Sequence, residues 1–242
     1  MTRTPTPSVA HRYAVSFAPN PGGLGWLAGS HWLGRCAALL QPLPQLDIEG
    51  VAPADLAQLT AAPRRQGWHA PLKASFALAP GVDWVSLHHA VQALAHSLDP
   101  IDLPPMHVQR MGDFLALAPV ASHAANDALR YAAAACVTQL QPLAAALTDT
   151  ELAAHRQAGL TAQQDALLQR WGHPGVLDEF RFHLPITGNL QQVDAATQTL
   201  VLDAAHEYFA DMPALRFNSL ALFAQPTPGD DFVLLDHLEM AR

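Results

Sequence analysis

The chain has 242 residues, about half of them apolar, and a formal net charge of −8 with histidine counted as neutral. This length and apolar content suffice for one large domain or two packed lobes, which excludes disorder over most of the chain. The acidic balance argues against a protein held on long nucleic acid by a basic face. The net charge is compatible with a small anionic ligand bound in a locally basic cleft.

The cysteines and the first residues bear on the compartment. Cys36 and Cys136 are the only two cysteines, and their wide spacing suggests neither a disulfide framework nor a zinc site. We expect both to be reduced, buried thiols. Residues 1–11 contain no apolar stretch of signal-peptide length, and no run in the chain approaches about 18 apolar residues. These features predict a cytoplasmic protein.

Hydrophobic periodicity and turn residues predict the elements in chain order. The predicted strands are 12–18, 67–78, a hairpin over 106–120, 179–190, 215–224 and 231–239. The predicted helices are 24–33, 54–60, 83–98, 124–140, 148–158, 161–171 and 194–210. Thr161 is the expected N-cap of its helix, and Gly172 its stop.

Two of these strands contain copies of one pattern. Residues 68–76 read WHAPLKASF and residues 182–190 read FHLPITGNL, both with an aromatic residue, histidine, any residue and proline at the start. Side chains alternate between the faces of a strand, so four residues of each copy should share one face. In the first copy these are His69, Pro71, Lys73 and Ser75. In the second they are Arg181, His183, Pro185 and Thr187.

A helix and a hairpin follow each histidine segment, so the order of elements repeats together with the motif. This predicts an α+β fold of two pseudo-symmetric lobes, in which antiparallel sheets meet at a central cleft and helices cover the outer faces. We expect one bilobal domain over 1–242. Its lobes would lie around 64–120 and 178–240, and the strand at 12–18 would join the sheets.

The predicted cleft brings His69 and His183 face to face, an arrangement suited to general acid–base catalysis in which one histidine donates a proton and the other accepts one. Which histidine is the acid and which the base stays open. We expect the remaining histidines, among them His88 and His89, to be solvated. The aromatic residues Trp68 and Phe182 are expected in the core.

A repeated histidine motif on strands of two lobes resembles the 2H phosphoesterase superfamily. The segments RYAVSFAP, PRRQGWHAPLKASFAL and DEFRFHLPITGNL resemble, more narrowly, its DUF1045-like branch of proteins associated with phosphonate metabolism. The corresponding stretches there read roughly RYAVYFAP, PRRYGFHATLKAPF and FRFHMTLTG. The resemblance extends from Arg12 to about Glu239.

The resemblance implies a role for each matched residue. His69 and His183 match the catalytic acid and base, which need neither a metal nor another cofactor. The residues that match phosphate-binding polar positions are Lys73, Thr187, Arg64, Arg65 and Arg181. The implied partner is a small anionic phosphorylated substrate, with no membrane and no long nucleic acid.

The chain departs from the superfamily at the third motif position, where Ser or Thr is replaced by Pro71 and Pro185. Proline offers neither a hydroxyl nor a backbone N–H, and one lost donor costs about 10²–10³ in rate in other enzymes. Proline inside a strand also indicates an edge or a bulge. Its occurrence at both equivalent positions suggests a shared geometric role.

Three functions follow as alternatives. The first is a metal-independent phosphodiesterase of the 2H type that acts on a small cyclic or nucleotide-like phosphodiester, within phosphonate metabolism. The second is a protein that binds phosphorylated ligands without turnover, because both motif hydroxyls are gone. The third is an RNA-end processing enzyme, which the acidic charge and the lack of a basic, aromatic-rich stripe disfavour.

Overall fold

The computed structural model describes residues 10–120, 123–157 and 159–241, without the side chains of residues 123 and 124. The α-helices in this part are α1 (Leu24–Leu33), α2 (Pro53–Leu59), α3 (Ala61–Gln66), α4 (Trp84–His96), α5 (His123–Leu140), α6 (Asp149–Arg156), α7 (Ala162–Trp171) and α8 (Ala195–Phe209). The strands are β1 (Arg12–Phe17), β2 (Arg35–Cys36), β3 (Gln41–Pro42), β4 (Ala70–Phe76), β5 (Ile101–Asp102), β6 (Met106–Met111), β7 (Phe114–Pro119), β8 (Leu184–Pro185), β9 (Arg216–Phe217), β10 (Ser219–Gln225) and β11 (Val233–Glu239).

The larger sheet has four antiparallel strands in the order β11-β10-β1-β4. Helices α4 and α5 pack against it. Helix α4 begins where the Asp83 carboxylate accepts a hydrogen bond from the Ser86 backbone N–H at 2.8 Å. The ring of Trp84 in its first turn stacks on Tyr13 of β1 at 5.7 Å between centroids. The cap and this aromatic contact set where the helix starts and which face it buries.

The smaller sheet has three antiparallel strands in the order β6-β7-β8. The hairpin β6-β7 turns at Gly112, whose φ of +61° favours glycine, and this confirms the predicted hairpin. Helix α8 packs on β6. Within the described chain, the expected α+β class with antiparallel sheets is therefore confirmed.

The strand pairing crosses the sequence order. Strand β4, which follows the first motif histidine, pairs with β1 beside the late hairpin β10-β11, whereas β8, which follows the second, pairs with the early hairpin β6-β7. One core joins the sheets, since Phe17 of β1 lies 5.5 Å from Phe182 and 5.4 Å from Phe217 between ring centroids. The indole N–H of Trp32 also donates to the Ile186 carbonyl at 2.9 Å.

The two proline positions agree with the expectation of sheet edges. Strands β4 and β8 each lie at the edge of their sheet, and the pairing of β4 with β1 shifts register twice. Pro71 lies opposite Ser16, and Pro185 opposite Ala116. A missing N–H at an edge leaves no neighbouring carbonyl without its donor.

The second motif strand is much shorter than the predicted 179–190. Residues Leu177–Glu179 form a 3₁₀ helix, and only Leu184–Pro185 pair as a strand. The segment is held instead by buried Phe182 and by single hydrogen bonds, such as the Gly188 N–H to the Leu59 carbonyl at 2.6 Å. Core packing of alternate side chains replaces a ladder of backbone bonds here.

Further expectations have a direct structural outcome. Cys36 and Cys136 are free and buried, as predicted. Helix α3 was not predicted, and its Pro63 lies in the first turn, where an N–H is not needed. None of the helices in the described ranges is long and apolar enough to cross a membrane.

Candidate functional site

A cavity of about 490 Å³ opens between the edge strand β4 and the segment that leads into β8. Both motif histidines and both motif prolines line it, together with Arg181. Its size lies in the range of small-molecule sites, which is about 300–1,000 Å³. The repeated pattern thus contributes to one cavity from two sheets.

His69 lies immediately before β4 and is buried, with its ring 4.5 Å from that of Phe223. The preceding turn needs Gly67, whose φ is +90° and where a Cβ would lie 2.9 Å from the Cβ of Ala37. Burial, with a smaller contribution from charge on His183, lowers the pKa of His69 to about 4. The ring is therefore neutral at pH 7. Its Nδ1 has no hydrogen-bond partner among the described residues.

His183 lies immediately before β8 and is held differently. Its Nδ1 is 2.7 Å from the backbone carbonyl of Arg181. A carbonyl only accepts, so Nδ1 carries the proton and Nε2 of the neutral ring is left as an acceptor. Burial lowers the pKa of His183, and the bond to the carbonyl opposes this in part. At pH 7 this histidine is suited to accept a proton or a hydrogen bond.

The structure places Lys73 away from these histidines, contrary to the expected shared face. Pro71 pairs with Ser16 and Lys73 with Val15, which are neighbours on β1 and point to opposite faces. The extra residue in β4 between them is a bulge that reverses the alternation. Lys73 is buried, and its ammonium donates to Gln141 Oε1 at 2.8 Å. Burial lowers its pKa to about 8.

Thr187 is also directed into the fold. Its side-chain oxygen accepts a hydrogen bond from the Leu115 backbone N–H at 2.9 Å, and the residue is buried. It lines a neighbouring hollow beside Phe114 rather than the cavity of the two histidines. Its observed contact is thus with the backbone of β7.

The predicted arginines divide between the cavity and the surface. Arg181 lines the cavity and is exposed. Arg65 donates to the Gly229 carbonyl and lies 4.0 Å from a carboxylate oxygen of Asp231. Arg64, in the last turn of α3, is absent from the cavity lining. Of the three, Arg181 is therefore the one placed to meet an anion beside the histidines.

Two further cavity residues, His155 and His173, were expected to be solvated. His155 comes from α6, and His173 follows the αL glycine Gly172 that ends α7. Their rings are 5.8 Å apart and almost perpendicular. Burial lowers the pKa of His173 to about 4, with smaller effects of charge on His155 and His183. The sequence signal for His173 is its place in a Gly-His-Pro-Gly turn, and this turn predicts the end of a helix but no functional role for the histidine.

The remaining charge at the cavity is acidic. Glu179 lines it, and the Gln164 amide lies 3.4 Å from Glu179 Oε2. No group of three or more His, Cys, Asp or Glu side chains in the described ranges is arranged to hold a metal ion. The chemistry open to the described side chains is proton transfer and hydrogen bonding, with one guanidinium for an anion.

The chain belongs to the family described as "Protein of unknown function (DUF1045)", whose model matches residues 71–233. The match includes His183 and Arg181 and begins two residues after His69. This agrees with the narrower resemblance seen in the sequence.

Two curated relatives carry the name ribose 1,5-bisphosphate phosphokinase PhnN. The protein of Janthinobacterium sp. (strain Marseille) is 38% identical over 225 residues, which are 92% of this chain and 49% of the relative. That of Laribacter hongkongensis (strain HLHK9) is 36% identical over 223 residues, covering 92% and 50%. The chain therefore spans about half the length of the curated relatives it matches.

These relatives overturn the expected activity. The sequence resemblance predicted a phosphodiesterase of the 2H type, a hydrolase, whereas both relatives are named as kinases. A kinase moves a phosphoryl group to an acceptor other than water, which is a different reaction. The prediction of hydrolysis is wrong on this comparison.

Proposed function

We propose that this chain is a domain that binds a phosphorylated pentose, the substrate of a ribose 1,5-bisphosphate phosphokinase reaction. The observation that carries the proposal is the cavity itself, where His69 and His183 are neutral and Arg181 stands beside them. The two relatives, named for a bisphosphorylated ribose, support this choice of ligand.

In this proposal the three side chains have distinct tasks. The exposed guanidinium of Arg181 binds a phosphate group through charge-assisted hydrogen bonds. The Nε2 atom of His183, whose other nitrogen is bonded to a carbonyl, accepts a hydrogen bond or a proton from a sugar hydroxyl. His69 is the second proton carrier of the pair, because its neutral ring lines the same cavity as His183.

In this proposal, the site that binds the phosphate donor of the kinase reaction lies in the half of the relatives that this chain does not match. A common nucleotide site uses a glycine-rich loop that ends in Gly-Lys followed by Ser or Thr. The chain has one lysine, Lys73, which follows Leu72, and its ammonium is bonded to Gln141 on the face of β4 away from the cavity. We therefore expect no phosphoryl transfer by this chain alone.

The finer family placement also stays a proposal. We propose that the two halves are pseudo-symmetric and share the arrangement of the 2H superfamily, since a helix and a hairpin follow each motif histidine. The pairing of Ile101 with Phe217, just before the two hairpins, supports the same relation. A role in the cytoplasm and in phosphonate metabolism belongs to this proposal. Fold alone assigns no reaction.

Isothermal titration calorimetry with ribose 1,5-bisphosphate, and with unphosphorylated ribose as reference, tests the binding. We expect binding of the bisphosphate and a Kd about 10- to 100-fold weaker in Arg181→Ala, the effect of one charge-assisted contact. The matched control is Arg216→Ala, which should leave Kd unchanged, because Arg216 of β9 is exposed and its Nε lies 3.5 Å from Asp102 Oδ1 of β5. Absence of bisphosphate binding, or equal losses in both variants, would refute the proposal.

A phosphoryl-transfer assay tests the assignment of the donor site. The chain is incubated with ribose 1,5-bisphosphate, a nucleoside triphosphate and Mg²⁺, and the phosphorylated products are separated. We expect no transfer above the protein-free control. Turnover by this chain alone would place the kinase site within it.

A further inference from the structure

Four imidazoles line the cavity, those of His69, His155, His173 and His183. The rings of His155 and His173 lie 5.8 Å apart between centroids and are almost perpendicular. The proposed function uses only His69 and His183, so the His155–His173 pair is without an assigned role.

The rings of His173 and His183 present opposite hydrogen-bonding groups. The Gly175 backbone N–H donates to Nδ1 of His173 at 3.1 Å, so that nitrogen has no proton and Nε2 of the neutral ring carries it. The neighbouring His183 has the reverse arrangement, with its proton on Nδ1. A phosphate oxygen only accepts at neutral pH and therefore suits His173, whereas a hydroxyl group suits His183.

The position of His173 is fixed by its turn. Gly172 takes a φ of +79° to end α7, and Pro174 restricts the backbone on the other side. Its partner His155 lies in the last turn of α6. A donor whose direction is set by the backbone loses little conformational freedom when a ligand binds.

The charged neighbours of the His155–His173 pair are few. Among the described residues, Glu179 is the one carboxylate that lines the cavity, and Arg181 is the one guanidinium. Arg156, next to His155 in the sequence, is bonded to Asp165 of α7 at 2.6 Å. Lys73 lies on the other face of β4. An anion at His155 and His173 would therefore meet imidazole groups as its main donors.

We propose that His155 and His173 form a second phosphate subsite, so that the cavity takes a pentose with a phosphate group at each end. Arg181 binds one phosphate and the His155–His173 pair binds the other, with the sugar beside His183. The subsite rests on the proposed function and adds to it the selection of a bisphosphate over a monophosphate. A phosphate placed here also favours the protonated form of His173, which strengthens the contact.

The test compares two ligands, ribose 1,5-bisphosphate and ribose 5-phosphate, by calorimetry in three proteins. These are the unmodified chain, the double variant His155→Gln/His173→Gln and the control His96→Gln, whose side chain is exposed on α4. The unmodified chain and the control should prefer the bisphosphate by about 10- to 100-fold. The double variant should lose most of this preference and keep its monophosphate affinity within about threefold.

Two outcomes overturn the subsite. One is an unchanged preference for the bisphosphate in the double variant, and the other is an equal loss of both ligands. The single variant His155→Gln, on the partly exposed end of α6, guards against misfolding and should give an intermediate loss of preference. If the unmodified chain binds neither ligand, the proposed function itself is refuted. If it binds both ligands but the double variant shows one of the two outcomes above, only the subsite is refuted.

Discussion

The two copies of the motif share a sequence pattern but hold their histidines in different ways. The first copy continues into the seven-residue strand β4, and His69 is buried, with no partner for its Nδ1 in the described part of the chain. The second continues into only two paired residues, and His183 is anchored to a backbone carbonyl. A repeated sequence pattern thus gives the two histidines equivalent positions in the fold, but not the same hydrogen-bond partners. This difference therefore assigns the acceptor role to His183.

The largest effect on the free energy of unfolding is expected at the aromatic residue before each histidine. Trp68 is almost fully buried, stacks on Phe209 at 5.8 Å and donates its indole N–H to the Gly25 carbonyl at 3.0 Å. Trp68→Ala should lower the free energy of unfolding by about 3–5 kcal/mol. Phe182→Ala should lie near the lower end of that range, because Phe182 has no hydrogen bond to lose. Urea unfolding of both variants measures these losses. A larger loss of stability for Phe182→Ala than for Trp68→Ala would contradict the expected order.

The next effect concerns Lys73, the residue four positions after the first histidine. Its pKa in the folded chain is about 8, below the ordinary value of 10.5, so the unfolded chain holds more protons between these values. Stability should therefore rise with pH across this window, on the order of 2 kcal/mol between pH 7.5 and 9.5.

The matching variant is Lys73→Met, which keeps a long apolar side chain but cannot titrate. Urea unfolding at both pH values should show the rise in the unmodified chain and a smaller one in Lys73→Met. Identical pH dependence in the two proteins would mean that the ammonium of Lys73 is not desolvated.

Thr187 holds the equivalent position in the second copy and should show a smaller effect without pH dependence. Thr187→Val removes the acceptor for the buried Leu115 N–H and should cost about 1–2 kcal/mol. Thr187→Ser keeps the hydroxyl and serves as the control. A neutral Thr187→Val substitution would show that the N–H finds another acceptor.

The smallest effect is expected at the two prolines, where the copies should behave alike. Both lie on edge strands, which have a neighbouring strand on one side only, so we expect the N–H restored by Pro71→Ala or Pro185→Ala to point to the open side. Each should lose only about 0.4–1 kcal/mol, through the greater freedom of the unfolded chain. A clear gain in stability from either change would indicate strain at that proline.

The predictability of this fold from sequence differs between its parts. Helices such as α7 were predicted because Thr161 caps one end and Gly172 the other, and both signals are local. The hairpin at Gly112 was predicted for the same reason. The bulges in β4 depend on its pairing with β1, a partner distant in sequence, and they reversed the expected side of Lys73.

The site was predicted only in part for a related reason. The motif drew attention to His69 and His183 because a pattern repeated around them. His155 and His173 belong to no repeat, and they reach the cavity through the packing of α6 and α7. Tertiary placement of this kind has no local signal in one sequence.

The most direct test of ligand binding in this cavity is nuclear magnetic resonance of the chain with ¹⁵N-labelled histidine at pH 7, before and after ribose 1,5-bisphosphate is added. We expect neutral rings at His69, His173 and His183 in the free chain, with the proton of His183 on Nδ1 and that of His173 on Nε2. Addition of the ligand should shift these rings and leave exposed His96 unchanged. Unchanged cavity imidazoles at saturating ligand would contradict the claim that this cavity binds a phosphorylated pentose.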